Sequence, residues 1–80
     1  MIEEPLKVSI RDLGVAAALV ACDFEMTGTK RDKKNNRTYF IFQETAALDD
    51  AVNSYYADIL QVKARKFFDN TKMLKGLIYR

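Results

Sequence analysis

The sequence predicts a single α+β domain over residues 1–80, in which three helices cover a β-hairpin around one hydrophobic core. Eighty residues leave no room for a second core. Hydrophobic residues make up 49% of the chain and charged residues 30%, which is typical of a folded chain rather than a disordered one. Segments with helical spacing flank an alternating segment, so we expect the order α-β-β-α-α.

Two interpretations fit the start of the chain. Residues 6–10 alternate between apolar and polar side chains, as in a short edge strand. Alternatively, Ser9 is the N-cap of a first helix from Ile10 to Cys22, with Asp12 three residues later in a shortened capping box. The second interpretation is preferred because the alanines that follow favour a helix.

Small side chains along this first helix predict that it lies at the centre of the core. Because small side chains allow a neighbouring element to approach the helix closely, we expect the other elements to pack around it. The small-residue face consists of Gly14, Ala17, Ala18 and Ala21.

A β-hairpin is expected next. Side chains alternate from Phe24 to Lys30, and Thr38–Gln43 is rich in β-branched and aromatic residues, which favour strands. Residues 33–36 form the turn between them, since asparagine tolerates left-handed backbone angles.

The alternation in the second strand assigns its side chains to two faces. Phe40 and Phe42 are expected in the core, with Tyr39 and Ile41 on the opposite face. Tyr39 is therefore a candidate for a contact role, such as stacking on a nucleobase.

Two further helices complete the prediction. Thr45 is placed to cap a helix from Ala46 to Tyr56, and the last helix is expected from Ala64 to Tyr79. Their predicted apolar faces are Leu48, Val52, Tyr55 and Ile59 in the former, and Phe67, Phe68, Leu74, Leu77 and Ile78 in the latter.

The sequence resembles an uncharacterised family of small bacterial and mobile-element proteins, a domain of unknown function. The resemblance covers most of the chain, but it rests chiefly on core positions and transfers no active site. It implies the fold and a cytoplasmic setting. The matching segments are Asp12-Leu13, Ala16-Ala17, Leu19, Asp23-Phe24 (where the family usually has Gly-Phe), Tyr39-Phe40-Ile41-Phe42, Tyr55-Tyr56, Arg65-Lys66-Phe67 and Leu74 to Tyr79.

Charge is distributed unevenly, although the net charge is only +2. Residues 30–37 carry five basic and one acidic side chain, and residues 63–80 carry six basic and one acidic. The intervening residues 38–62 carry four acidic side chains and no basic one. Two basic blocks that are separated in this way are the feature that a functional hypothesis must explain.

If the second helix returns antiparallel to the second strand, the last helix begins near the hairpin turn. We therefore expect the two basic blocks to converge on one surface that binds nucleic acid phosphates. Basic side chains at a helix N-terminus also oppose the helix dipole, and such a departure from local preference is typical of functional sites. The candidate nucleic-acid-binding residues are Lys30, Arg31, Lys33, Lys34, Arg37, Tyr39, Lys63, Arg65 and Lys66.

Catalysis is not expected. The chain has no histidine, and its one cysteine, Cys22, closes an apolar helix, where a buried structural thiol is expected. Asp49 and Asp50 point about 100° apart on a helix, which is a poor arrangement for a shared ion. We expect no catalytic residues, no cofactor and no metal. No membrane-spanning segment is expected either, and acids at Glu3 and Glu4 argue against a secretion signal.

Two hypotheses therefore remain. One is a non-catalytic module that binds nucleic acid electrostatically. The alternative is a protein-interaction or homodimerisation module, in which an exposed sheet face or an unpaired strand edge recruits another chain.

Overall fold

The protein is an α+β domain with a three-stranded antiparallel sheet and three helices, as seen in a computed structural model that describes residues 6–79. The predicted fold class and hairpin are confirmed. The strand order β1-β3-β2 places β3 in the centre of the sheet. The elements in chain order are β1 (Lys7–Ile10), α1 (Leu13–Ala21), β2 (Met26–Asp32), β3 (Arg37–Gln43), α2 (Ala46–Tyr56) and α3 (Ala64–Ile78).

The segment before α1 is a strand. The preferred interpretation, in which Ser9 caps a helix that starts at Ile10, is therefore wrong. Val8 lies opposite Phe42 and Ile10 lies opposite Phe40 across the β1–β3 pair. This register adds both β1 side chains to the apolar face of the sheet, which a helix starting at Ile10 would not do. Ser9 therefore belongs to β1 and does not cap α1.

Asp12 is the actual N-cap of α1. Its Oδ1 accepts hydrogen bonds from the backbone N–H groups of Gly14, at 2.8 Å, and Val15, at 3.2 Å. These bonds satisfy two of the N–H groups that a helix start leaves without intrahelical partners. The helix consequently begins at Leu13, three residues later than expected.

The core lies between the helices and one face of the sheet, with α1 at its centre as expected. A methyl group added to Gly14 would clash with the hydroxyl of Tyr55 on α2, so glycine permits that close approach. Burying large apolar side chains here contributes about 1.5–3 kcal/mol each. The largest fully buried side chains are Phe40, Phe42, Leu19, Leu48, Leu74 and Val15.

The boundaries of α2 and α3 agree closely with the prediction, but their apolar faces are narrower. Thr45 caps α2 as expected, because its Oγ1 accepts a 3.1 Å hydrogen bond from the backbone of Leu48. The predicted core residues Ile59 and Phe68 are instead 71% and 61% exposed. Ile59 lies beyond the end of α2, and Phe68 points outward from α3.

The connector that follows α2 and precedes α3 runs back along α1. The C-terminal part of α2 contacts the start of α1 through Tyr55 and Gly14, whereas Gln61 approaches the end of α1, where its carbonyl accepts from the thiol of Cys22 at 3.9 Å. Ala57 and Asp58 form a turn at the end of α2, and the five residues that follow, 59–63, reach about 17 Å when extended. The helix α2 is about 16 Å long, so the connector can carry the chain back over a distance about equal to the length of α2.

Candidate nucleic-acid interface

The hairpin tip, residues 30–37, is shaped by side chains that bond to the backbone of the turn. Asp32 lies opposite Arg37 at the end of the β2–β3 pair. The Asp32 carboxylate accepts from the Lys34 N–H at 2.9 Å, and the Asn35 side chain accepts from the Arg37 N–H at 3.2 Å. Asn36 has a φ of 55°, in the left-handed region that asparagine tolerates. The turn is therefore defined by local polar contacts.

An open groove of about 470 Å³, the tip groove, lies beside this turn. Four basic side chains and one acidic side chain contribute to its walls, so the groove is cationic. Its lysines are exposed to solvent, where they can reach a ligand without prior rearrangement. The lining residues are Ser9, Lys30, Arg31, Asp32, Lys33, Lys34 and Tyr39.

Tyr39 joins the tip groove to the sheet face that lies opposite the core. Its neighbours Phe40 and Thr38 point to the other face, and Lys30 lies directly across from it on β2. Tyr39 is half-buried, so its position is held by its surroundings while part of it remains accessible. The prediction that Tyr39 points away from the core is confirmed.

Arg31 has a structural contact that the sequence did not indicate. Its guanidinium donates to the backbone carbonyl of Ile78 at 3.4 Å and to the Asn36 side chain at 2.6 Å. The Ile78 carbonyl belongs to the last turn of α3, where carbonyls lack intrahelical partners. Arg31 thus ties the hairpin tip to the C-terminal end of α3, so its charge is partly engaged within the fold.

The basic residues at the start of α3 lie at the other end of the molecule, and the expected convergence is wrong. Lys66 Nζ is 3.4 Å from a carboxylate oxygen of Asp23, which precedes β2. Since α3 begins near Asp23 and ends near Arg31, its length of about 22 Å separates Lys63, Arg65 and Lys66 from the tip.

Two of these cations also have acidic neighbours. Besides the contact between Lys66 and Asp23, Arg65 Nε lies 3.8 Å from Asp69, one turn later on α3. The Arg65 side chain is 95% exposed, so this ion pair contributes little to stability. Both contacts nevertheless reduce the positive potential around the start of α3.

Cys22 is partly buried, whereas the sequence predicts a buried thiol. Burial, together with the nearby charge of Asp23, raises the pKa of its thiol, which disfavours the reactive thiolate. Across residues 6–79, no group of three or more His, Cys, Asp or Glu side chains is placed to hold a metal ion.

The fold and the groove define a small α+β domain with an open cationic groove beside its hairpin tip. A family model described as a domain of unknown function, DUF5659, matches residues 7–80, and the chain belongs to that family. No curated protein and no solved structure matches the chain. Within the described part of the chain, no helix has the length and apolar content needed to cross a bilayer.

Proposed function

We propose that the domain is a non-catalytic module that binds nucleic acid electrostatically through the hairpin tip. The observation that carries the proposal is the concentration of exposed cations on one short, well-defined turn beside the tip groove. Lysine and arginine that neutralise phosphates release condensed counterions, which favours binding regardless of sequence. A cytoplasmic location is part of the proposal, because nucleic acid is accessible there.

The proposed contact residues differ in their roles. Lys30, Lys33, Lys34 and Arg37 are exposed and are assigned to phosphates. Arg31 also contributes positive charge, but its hydrogen bonds to α3 make it mainly a support for the tip. The residues at the start of α3 are left out of this interface because of their distance from the tip.

The proposal is tested by fluorescence anisotropy with a labelled oligonucleotide at several salt concentrations. If four phosphates are neutralised, affinity should fall on the order of 50- to 150-fold between 50 and 200 mM salt. The double substitution Lys33→Gln and Lys34→Gln should reduce the slope of log K against log salt by about two. Absence of binding at the lowest salt concentration contradicts the proposal.

A charge-matched control is available at the other end of the molecule. Lys63→Gln together with Arg65→Gln removes the same charge from the start of α3, about 22 Å away. This variant should bind almost as tightly as the unmodified protein, with a similar salt slope. Equal losses in the two double variants would show that only overall charge matters and that the hairpin tip is no specific interface.

A protein-interaction role is the second candidate, and the sheet topology favours it. In the order β1-β3-β2, β1 is an edge strand of four residues, and Leu6 beside it is 71% exposed. Such an edge can accept a strand from another chain. Light scattering at high salt tests this: a persistent dimer, with no nucleic acid binding, would support interaction over the first proposal.

A further inference from the structure

We propose that the nucleic acid bound at the tip groove is single-stranded and that one unpaired base stacks on Tyr39. This inference rests on the proposed function and names the class of its ligand. Tyr39 lies on the central strand and lines the groove together with Lys30, Lys33 and Lys34. An aromatic ring beside several lysines is complementary to a base that is followed by phosphates.

Gly28 provides a second observation at the same sheet face. It lies opposite Ile41 in β3, two residues along from Tyr39, so it is a diagonal neighbour at about 7–8 Å. Its φ is not positive, and a Cβ added at this position would have no atom within 4 Å. Neither backbone geometry nor crowding therefore requires glycine.

Glycine in a strand lowers stability, and it often marks a place where a ligand approaches the sheet closely. The register irregularity between Met26 and Gly28 does not account for it, since the bulge type that requires glycine uses a left-handed conformation. The missing side chain instead leaves the sheet face beside Tyr39 and Ile41 flat. A planar base can lie against such a surface.

Single strands and duplexes differ in whether the face of a base can reach the Tyr39 ring on the sheet. In a duplex each base is stacked between its neighbours, and only its edges are exposed in the grooves. An unpaired base can present its face to a side chain, and its flexible backbone allows neighbouring phosphates to reach the lysines. The combination of Tyr39, Gly28 and the lysines therefore favours a single strand.

The test compares a labelled 15-nucleotide thymidylate strand with an abasic strand of the same length. Tyr39→Leu should weaken binding to the thymidylate strand by about 5- to 150-fold, and Tyr39→Phe should retain affinity. Both should bind the abasic strand like the unmodified protein. Tyr56→Leu is the control, because Tyr56 is 66% exposed and lies on α2.

Gly28→Val gives a second test that does not depend on the folding of a Tyr39 variant. Valine favours strands and its Cβ would meet no atom within 4 Å, so the melting temperature should be unchanged or higher. Binding to the thymidylate strand should nevertheless fall at least about fivefold, the lower bound for loss of one stacked base, with no change for the abasic strand.

The outcomes separate the two proposals. If Tyr39→Leu or Gly28→Val binds the thymidylate strand normally, or if a duplex binds more tightly than a single strand, stacking on Tyr39 is overturned while electrostatic binding stands. If no strand or duplex binds at low salt, both proposals fail.

Discussion

Asp23 and Asp58 have φ values of 69° and 61°, in the left-handed region that favours glycine. Each follows a helix C-cap. The backbone N–H of Asp23 bonds to the carbonyl of Val20, and that of Asp58 bonds to the carbonyl of Tyr55, both at 3.0 Å. The N–H of the next residue in each case bonds to the carbonyl one residue further back, that of Leu19 or Ser54, which completes a Schellman motif at the end of the helix.

These two positions allow a matched comparison of stability. Asp58→Gly should increase the free energy of unfolding by about 0.5–1 kcal/mol, because it relieves the left-handed conformation of a residue with a Cβ. Asp23→Gly should increase the free energy of unfolding by less, since it also removes the contact with Lys66. Thermal unfolding measures both: a rise of about 2–8 °C is expected for Asp58→Gly, and a fall would contradict this explanation.

The thiol of Cys22 should become reactive only at high pH. Burial, and then the charge of Asp23, raise its pKa above the ordinary value of a thiol, so the folded state favours the neutral thiol. This preference stabilises the fold below the ordinary thiol pKa, and the stabilisation is lost as the pH rises through the folded-state value.

Alkylation by iodoacetamide across pH 7–11 tests this statement. The rate in the folded protein should rise at a higher pH than the rate in urea, where the thiol has its ordinary pKa. Identical pH profiles in the folded and unfolded protein would contradict a raised pKa.

At the scale of elements, the start of α1 shows how a strand pairing overrides a local capping pattern. Ser9 and Asp12 are both good N-cap residues by type. Pairing of β1 with β3 places Ser9 opposite Ile41, which leaves Asp12 as the first residue free to cap the helix. Local sequence therefore allows two helix starts, and the register of a distant strand selects one of them.

Substitution of the two candidates tests which one caps the helix. Asp12→Ala should lower the free energy of unfolding by about 0.5–2 kcal/mol, because two N–H groups at the start of α1 lose their acceptor. Ser9→Ala should change it by less than about 0.5 kcal/mol, since Ser9 is exposed on an edge strand. Urea unfolding curves measure both, and equal losses would contradict the assignment.

At the scale of the whole molecule, the path of the connector between α2 and α3 determines how far the basic start of α3 lies from the hairpin tip. Residues 57–63 contain Leu60 and Val62, which line a pocket of about 300 Å³ with Ala18 of α1 and Phe67 of α3. Leu60 packs against the core and the Gln61 carbonyl accepts from the Cys22 thiol, so this part of the connector lies along α1. The start of α3 is consequently carried away from the hairpin tip, and only the C-terminal end of α3 returns to it at Arg31.

Much of the fold was predictable because it depends on short-range patterns. The alternation around Phe40 and Phe42 predicts a strand with one buried face, and the alanines of α1 predict a central helix. Thr45 predicts the start of α2 by its type and position. The turn at Asn36 also follows from a local preference for left-handed angles.

The candidate site was predictable only in part. The sequence alone determined the cationic hairpin tip and the outward direction of Tyr39, because both follow from the order of residues within one hairpin. Only the tertiary structure decided that the start of α3 lies elsewhere, that Arg31 bonds to Ile78, and that β1 completes the sheet. These features depend on contacts between residues far apart in the chain, and residue spacing contains no information about the direction in which a connector packs.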